Sequence, residues 1–338
     1  MYRAVLASRT KFRDDTRGRR RLDAGVDRPP LTVPLQPQDE TMIRIGIVGS
    51  DNSHAIAYSR LANIDQVVGD RARVTAIWGE DAARTAEVAR KGDIPAIVDS
   101  LHHLVDQVDA AIVVDRHGDL HAEHALPFLL EGKPVFVDKP FAIDLADCRR
   151  MLNAATQSHA AITSFSSLGI TPEADALHAQ VPGTVRLGQF AGPADFGSEY
   201  GGPFFYATHL VEIALRLLGE HVTGLQATRA GDTVVVNAVW RNDAIGVLGY
   251  SRDAEYHFHA SLFGTDGMVN AEIHANDDGY TEALKIAVEM FETGKNPLSS
   301  RHLLLPIVMV NAIVQSLDRD GEWVDVAGWL DQEIEALG

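Results

Sequence analysis

Short apolar runs alternate with amphipathic stretches over the first half of the chain. Buried strands are predicted at residues 43–49, 74–78, 96–98, 110–114, 135–137 and 160–165. Because helix-spaced segments separate these runs, the pattern predicts a parallel sheet with helices on both faces. Residues 42–165 are therefore expected to form an α/β domain of the doubly wound kind.

After Pro172 the pattern of apolar positions changes. A helix and a strand are predicted first, at residues 172–180 and 185–191. Four strand-like runs later follow one another without helices between them, at residues 233–240, 244–250, 256–263 and 267–273. Two helices close the chain, near residues 280–293 and 302–317. This order predicts an α+β domain at residues 166–338 with a large, mostly antiparallel open sheet.

The stretch Gly132–Pro140 carries the most informative chemistry. A glycine and a proline end the preceding helix, and Val135–Val137 form a buried parallel strand. Asp138 and Lys139 then stand at the carboxyl end of that strand, where ligands bind in open α/β sheets. The proline that follows restricts the backbone of Lys139. Lys139 is therefore a candidate catalytic residue, and a surface Asp-Lys turn is the alternative.

The first strand, its glycine turn and the next helix form the opening unit of a dinucleotide-binding fold. Of the three glycines in a G-x-G-x-x-G turn only Gly49 is present, and Asp51 and His54 stand at the other two positions. Asp51 places a negative charge where a pyrophosphate would approach the helix N-terminus. Ser53 and Asn52 are candidate caps of that helix.

Charged residues follow the second predicted strand. Glu80 and Asp81 are candidates for the carboxylate that binds an adenosine ribose, or for caps of the next helix. Arg84 could instead hold a ribose phosphate. The choice between NAD and NADP is therefore open at this point.

Composition and charge narrow the range of partners and locations. The 30 basic and 47 acidic residues give a net charge of -17, which argues against nucleic acid and anionic membrane surfaces as partners. Cys148 is the only cysteine, so no internal disulfide is expected and the expected location is cytoplasmic. The apolar run Leu303–Val310 contains a proline and is too short to span a bilayer.

Residues 1–41 differ from the rest of the chain. They hold nine basic residues, six acidic residues and four prolines, with little apolar periodicity. They contain no apolar core of a secretory signal. We expect a disordered or loosely attached extension, or translation from a start upstream of a natural one at Met42.

Taken together, four segments resemble the Gfo/Idh/MocA family, which comprises glucose–fructose oxidoreductase, inositol dehydrogenase and their relatives. The segments are Ile43–Gly49, Gly118–Ala125, Val137–Pro140 and Gly201–His209 with the following Leu217-Leu218-Gly219. The third resembles the family's Glu-Lys-Pro motif. The resemblance runs from Met42 to about Val326. It implies a Rossmann-type domain that binds NAD or NADP, and hydride transfer to or from a hydroxyl or carbonyl of a sugar, cyclitol or related polyol.

The resemblance also implies site residues. Lys139 and His209 match the family's lysine and histidine, which face the substrate beside the nicotinamide ring. A histidine can take the hydroxyl proton, and a lysine can stabilise the negative charge that develops on the oxygen. The candidate cofactor-binding residues are Gly49, Ser50, Asp51, Asn52, Ser53, His54, Glu80, Asp115, Arg116, His121, Asp138 and Lys139.

The chain departs from the family's pattern near these residues. The family's aspartate four residues before the histidine is Phe205 here, and the glycine two before it is Ala207. The usual Thr-Pro-Asn is replaced by Asp115-Arg116-His117. Tyr206 and Glu212 are candidate catalytic replacements for the aspartate; a core tyrosine and an exposed helix carboxylate are their ordinary alternatives. The departures indicate a divergent subgroup.

These departures leave other functions open. A lyase or epimerase would use Lys139 and His209 for acid–base chemistry without redox, and a ligand-binding protein would keep the fold without activity. A metal centre would need six residues to converge: His54, Asp115, His117, His121, Asp138 and His209. Since no diagnostic ligand spacing is present, no metal is expected. By analogy with the family we expect a homo-oligomer, a dimer or tetramer, formed through the second-domain sheet.

Overall fold

The computed structural model describes residues 42–181 and 183–337. The predicted N-terminal extension at residues 1–41 lies outside the described residues. The predicted domain limit between residues 165 and 166 stays a prediction.

A six-stranded parallel sheet forms the first half of the described chain. Its strands are Ile43–Val48 (β1), Ala72–Trp78 (β2), Ala96–Ile97 (β3), Ala110–Val113 (β4), Val135–Val137 (β5) and Ile162–Ser164 (β6). Their spatial order is β3-β2-β1-β4-β5-β6, and every neighbouring pair is parallel. This is the doubly wound order of dinucleotide-binding folds, with its switch point between β1 and β4.

Five helices accompany these strands. They are His54–Asn63 (α1), Ala82–Gly92 (α2), Leu101–Gln107 (α3), His121–Leu130 (α4) and Leu145–Ser158 (α5). Asp81, Ser100 and Asp144 cap α2, α3 and α5 with their side chains, as the residue types at helix starts favour. At the start of α1 Ser53 forms no side-chain cap, whereas Asn52 Oδ1 accepts from the His54 backbone N–H over 3.2 Å.

A second six-stranded sheet follows. Its strands are Val185–Pro193 (β7), Val222–Ala230 (β8), Thr233–Trp240 (β9), Ile245–Ser251 (β10), Phe258–Gly264 (β11) and Gly267–Ile273 (β12). The spatial order is β12-β11-β7-β10-β9-β8. Strand β10 pairs parallel to β7, and the other neighbouring pairs are antiparallel. The predicted fold class is confirmed in both halves, although β8 was not among the predicted strands.

The helices of the second half position the residues discussed below. They are Pro172–Ala179 (α6), Ala207–Leu218 (α7), Asp277–Thr293 (α8), Ser300–Asp318 (α9) and Val326–Glu335 (α10). Helices α7 and α9 pack on each other and against the second sheet. The sheet buries an alternating row of side chains, Val234, Val236, Ala238 and Trp240. Helix α8 instead packs against α1 of the first half.

Helix α9 is longer than the apolar run that the sequence pattern indicated. Its 19 residues are apolar enough to cross a membrane by length and composition, but 67% of the most apolar stretch is buried inside the protein. Core helices of water-soluble proteins meet the same criterion, so this helix is weak support for a membrane span.

Candidate functional site

Residues from both halves line a cavity of about 450 Å³ at the carboxyl edge of the parallel sheet. The first half contributes Asn52, Ser53, His54, Arg116 and Lys139. The second half contributes Phe205, Tyr206, His209, Tyr256, Ala275 and Tyr280. The structure thus brings three of the four predicted catalytic residues, Lys139, His209 and Tyr206, to one cavity.

Lys139 leaves the end of β5 and is only 4% exposed. Its Nζ donates to the backbone carbonyl of Phe205 over 3.0 Å and lies 4.6 Å from the centre of the Phe205 ring. Burial lowers the pKa of Lys139, and the Asp138 carboxylate partly opposes that shift. The ammonium group therefore stands beside a carbonyl and an aromatic ring, and it can donate further hydrogen bonds to a ligand oxygen.

His209 and Glu212 on α7 are linked through Ser166, which follows β6. The Ser166 hydroxyl lies 2.7 Å from His209 Nδ1, and the Ser166 backbone N–H donates to Glu212 Oε2 over 2.6 Å. Burial, reinforced by the positive charge of Lys139, holds the pKa of His209 well below its usual value. Burial raises the pKa of Glu212 to about 7. Glu212 and His209 therefore share Ser166 as a hydrogen-bond partner, and Glu212 is buried rather than at an exposed helix position.

Tyr206 precedes α7 and forms part of an aromatic wall. Its ring centre lies 5.9 Å from that of His209, 4.5 Å from that of Phe205 and 5.6 Å from that of Tyr256. Burial raises the pKa of the Tyr206 phenol, so the hydroxyl keeps its proton at neutral pH. Tyr206 therefore lines the cavity together with Lys139 and His209.

His54 stands at the first position of α1, where the third glycine of the turn motif would be. Its Nδ1 lies 2.5 Å from Asp138 Oδ2, and its Nε2 lies 2.8 Å from the Tyr280 hydroxyl on α8. Burial opposes the ionisation of Asp138, but the contact with His54 prevails and lowers the pKa of the carboxyl. His54 and Asp138, predicted as cofactor-binding residues, are thus hydrogen-bonded to each other.

The turn between β1 and α1 is built around Gly49. Its φ is +91°, and a Cβ there would come within 2.7 Å of Asp115 Oδ1, so only glycine fits. The Ser50 hydroxyl accepts from the Thr85 hydroxyl over 2.9 Å. Asp51 is exposed, and its carboxylate accepts from the backbone N–H of Arg116 over 3.2 Å. Gly49, Ser50 and Asp51 therefore shape the turn without lining the cavity.

Asp115 and His121, two other predicted cofactor-binding residues, form hydrogen bonds beneath the strand ends. The Asp115 carboxylate pairs with His124 Nδ1 over 2.8 Å. The buried ring of His121 lies between the backbone carbonyls of Pro140, at 2.7 Å, and Asp115, at 2.9 Å. Neither Asp115 nor His121 lines the cavity. Both hold the loop that carries Arg116.

The residues at this edge fit a dinucleotide. Ser53 forms no side-chain cap at the start of α1, although Asn52 Oδ1 accepts from the His54 backbone N–H over 3.2 Å, and helix N-termini attract phosphate groups. The Arg116 guanidinium contacts the ring and hydroxyl of Tyr200, at 4.9 and 3.3 Å, so its charge is available to an anion. Glu80 is exposed directly after β2, where a carboxylate binds ribose. The exposed carboxylate of Asp51 opposes binding of the pyrophosphate.

Other cavities and clusters are less suited to the expected chemistry. A cavity of about 620 Å³ near His117 and Trp329 includes none of the four predicted catalytic residues. Among the described residues, His257, Glu272 and His274 form a group with potential metal-ligand atoms within 4.8 Å of one another, and all three are exposed. This group shares no member with the six residues considered for a metal centre.

Sequence reasoning missed Ser166 and Tyr280. Ser166 lies two residues after the last parallel strand, so the rule that ligands bind at strand ends could have indicated it. Tyr280 lies 226 positions after His54 on a helix without any catalytic motif. No local signal pointed to it.

Residues 43–165 match the model of a family described as "Oxidoreductase family, NAD-binding Rossmann fold". Inositol 2-dehydrogenase of Gluconacetobacter diazotrophicus is 33% identical over 119 residues, which are 33% of this chain and 32% of that protein. The chain therefore spans about a third of the length of the first curated relatives that it matches.

Solved structures cover more of the chain. A probable dehydrogenase from Thermotoga maritima has a TM-score of 0.74 at 20% identity, covering 85% of this chain and 99% of that one. GenD2 from gentamicin A biosynthesis, solved in complex with NAD, has a TM-score of 0.73 at 17% identity and covers 89% of this chain and 99% of its own. These likenesses extend the shared fold to the second sheet. Through residues 43–165 the chain is similar to the NAD-binding Rossmann domain of the Gfo/Idh/MocA oxidoreductase family.

Proposed function

We propose that this protein is an NAD-dependent dehydrogenase that transfers hydride between its cofactor and a hydroxyl or carbonyl carbon of a sugar, cyclitol or related polyol. One observation carries the proposal: Lys139 and His209, from opposite halves of the chain, line a single cavity at the carboxyl edge of the parallel sheet. The similarity to an inositol 2-dehydrogenase supports the polyol class.

Each predicted catalytic residue has a role in this proposal. Lys139 donates to the substrate oxygen and stabilises the negative charge that develops on it. His209, held at Nδ1 by Ser166, orients the substrate hydroxyl with its other ring nitrogen, and Tyr206 offers its phenol at the cavity wall. Glu212 acts through Ser166. When bound, the cofactor accepts or supplies the hydride.

The ribose pocket supports NAD over NADP. Glu80 is exposed after β2 and suits a free ribose hydroxyl. Arg84 donates to the Ser50 carbonyl over 2.9 Å and pairs with Glu87 over 2.7 Å, so its charge is already committed. The phosphate of an NADP ribose would therefore lie near the Glu80 carboxylate, and Arg84 at the start of this helix is already paired with Glu87.

Nucleotide titration tests the proposal directly. We expect NADH to bind more tightly than NADPH when nicotinamide fluorescence is followed, and NAD⁺ to support turnover of at least one polyol in a panel that includes inositols and aldoses. Lys139→Met is expected to lower turnover about 10²- to 10³-fold, since one preorganised donor to the reacting oxygen is lost. The exposed Lys295→Met serves as the control. Failure of folded protein to bind either nucleotide refutes the proposal.

A non-redox lyase or epimerase is the second candidate. The observation that favours it is the position of the Asp51 carboxylate. It accepts a hydrogen bond from the Arg116 backbone N–H and places a negative charge where a pyrophosphate would lie. Turnover that persists after all nucleotide has been removed supports this alternative. Turnover that strictly follows added NAD⁺ supports the dehydrogenase.

We further propose a cytoplasmic homo-oligomer, a dimer or tetramer, that pairs through the second sheet. The side of this sheet opposite the helices carries half-buried or exposed apolar residues, namely Val235, Val239, Ile245 and Val247. Light scattering after size-exclusion chromatography measures the oligomer size. A monomer at micromolar concentration contradicts this part of the proposal.

A further inference from the structure

His54 is an unusual residue at the start of α1, because dinucleotide-binding turns place glycine there. Its side chain is 13% exposed and reaches across to the end of β5, where it contacts Asp138. On its other side it contacts the Tyr280 hydroxyl, which α8 brings from the second half of the chain. Three residues from three separate elements thus form one hydrogen-bonded chain.

The order of donors in this chain follows from its buried end. The Asp138 side chain is 3% exposed, and its pKa is lowered by the contact with His54 although burial opposes this, so the carboxylate can only accept. His54 Nδ1 must therefore carry a proton, and in the neutral ring Nε2 is an acceptor. The Tyr280 hydroxyl consequently donates to His54 Nε2, and because the Ser167 side chain is a second hydrogen-bond partner of its oxygen, one lone pair remains for a further partner.

Tyr280 is suited to pass a proton on and unsuited to store a negative charge. Burial, with Asp138 as the next cause, raises the pKa of its phenol strongly. A proton received by the Tyr280 oxygen must therefore be matched by loss of the phenolic proton to His54. The resulting imidazolium would lie 2.5 Å from the Asp138 carboxylate, which stabilises it.

The same cavity offers His209 as the competing proton acceptor. The pKa of His209 is held well below its usual value by burial and by Lys139, with His54 as a further cause. Its Nδ1 is also engaged by Ser166. Five groups face His54: Asp138 and Lys139 after the end of β5, Tyr280 on α8, Tyr58 on the helix of His54 itself, and His209 on α7. Asp138 is the only group in this set that carries a negative charge, and it is hydrogen-bonded to His54.

We propose that Tyr280, His54 and Asp138 form a proton relay for the reacting hydroxyl, an inference that rests on the proposed dehydrogenase function. The substrate O–H bond breaks and its proton passes to the Tyr280 oxygen, while the phenolic proton passes to His54 Nε2. The C–H bond of the same carbon breaks with its electron pair, and this hydride reduces NAD⁺. The alcohol is thereby oxidised to a carbonyl. Lys139 stabilises the oxygen during the transfer, and Asp138 positions His54.

The hydrogen-bond order is testable without cofactor or turnover. In protein with ¹⁵N-labelled histidine, the His54 signals are assigned by their loss in His54→Gln. We expect the wild-type His54 ring to carry its proton on Nδ1 at pH 8, and the population of this form to change in Asp138→Asn. In Tyr280→Phe the ¹⁵N chemical shift of Nε2 should move toward the value of a ring nitrogen that accepts no hydrogen bond. An Nε2-protonated ring in the wild type overturns the relay.

Kinetics test the catalytic role. Tyr280→Phe and His54→Gln should lower kcat about 10²- to 10⁴-fold, the usual contribution of a positioned acid–base group, and Tyr280→Phe should leave NADH affinity nearly unchanged. The acidic limb of the kcat/KM profile should disappear, because the group that must be deprotonated is disconnected. Tyr250→Phe, which removes another buried tyrosyl hydroxyl outside the cavity, should retain wild-type turnover and the acidic limb.

Two failures have different meanings. Full turnover and an intact acidic limb in both Tyr280→Phe and His54→Gln, in a wild type that binds NADH, overturn the relay and leave the dehydrogenase proposal standing. Folded wild type that binds neither NADH nor NADPH overturns the dehydrogenase proposal itself, and with it the relay as an oxidation device.

Discussion

The Ser166 hydroxyl lies 2.7 Å from His209 Nδ1, while the backbone N–H of Ser166 donates to Glu212. One residue at the end of β6 therefore holds two side chains of α7. This joins the parallel sheet to the helix of the second half that carries the candidate histidine. Since all three residues are at most 9% exposed, solvent does not compete for these hydrogen bonds.

Ser166→Ala should lower kcat/KM about 2- to 13-fold, because a hydrogen bond that orients a side chain contributes about 0.5–1.5 kcal/mol. The loss should appear mainly in kcat, since the variant leaves the cavity wall intact. Steady-state kinetics measure it, with Ser158→Ala on α5, whose hydroxyl donates to the Ala154 carbonyl, as the control. An unchanged kcat in Ser166→Ala would mean that His209 needs no such support.

Glu212 should make stability depend on pH. Burial raises its pKa from 4.5 to about 7 in the folded protein, so folding favours the protonated carboxyl. Its contribution is fully present below pH 4.5 and is lost as pH rises through about 7. The loss amounts to about 3 kcal/mol, since one unit of pKa corresponds to about 1.4 kcal/mol.

Glu212→Gln cannot ionise but retains an oxygen that accepts from the Ser166 N–H. Its free energy of unfolding relative to wild type should therefore increase between pH 4.5 and about pH 8. Urea denaturation at several pH values measures this difference. A constant difference over that range would show that Glu212 ionises in the folded state as readily as in the unfolded one.

Phe136 is expected to be essential to the core beneath the site. It is fully buried on β5, and its ring centre lies 5.0 Å from that of Phe165 and 5.6 Å from that of Tyr58. Phe136→Ala should lower the free energy of unfolding by about 3–5 kcal/mol, the range for buried aromatic truncations. Phe136→Leu keeps most of the volume and should cost less. Equal effects of the two variants in denaturant melts would argue against a close-packed site.

Elements with a strong local pattern were predictable from the sequence. Strand β5 was predicted at its observed limits, because a fully apolar run stands between a helix-ending Gly-Lys-Pro and a charged pair. Strand β8 was missed because several residues of its second half are exposed and it contains Gly224, so neither alternation nor a continuous apolar run stands out. The parallel pairing of β10 with β7 joins segments separated by more than fifty residues, which periodicity cannot reveal.

The site was predictable only where a motif marked it. Lys139 and His209 were located through strand-end logic and family resemblance, and both line the cavity. The link from Glu212 to His209 through the backbone N–H and the hydroxyl of Ser166 was not located in this way. Tyr280 reaches His54 because α8 packs on α1, which is a property of the tertiary packing.

Gly79→Ala should weaken nucleotide binding from a position outside the cavity. Gly79 follows β2, and a Cβ there would come within 2.4 Å of Ser50 Oγ, 2.6 Å of Thr85 Oγ1 and 2.8 Å of Ser50 Cβ. Real Cβ atoms do not approach so closely, so Ser50 and the turn that carries it must move. Overpacking of this kind costs about 1–3 kcal/mol of stability. Because this turn leads directly into the start of α1, NADH affinity should fall as well.

A second substitution distinguishes a displaced turn from general destabilisation. Ser50→Gly removes both Ser50 contacts, so Gly79→Ala combined with Ser50→Gly should recover part of the NADH affinity that Gly79→Ala loses. Gly249→Ala on β10, where the nearest atom to a new Cβ is 3.7 Å away, should leave NADH affinity unchanged. Fluorescence titration with NADH and thermal melts of each variant measure the two effects separately. If Gly79→Ala melts earlier but binds NADH as the wild type does, the position of the turn does not control the nucleotide site.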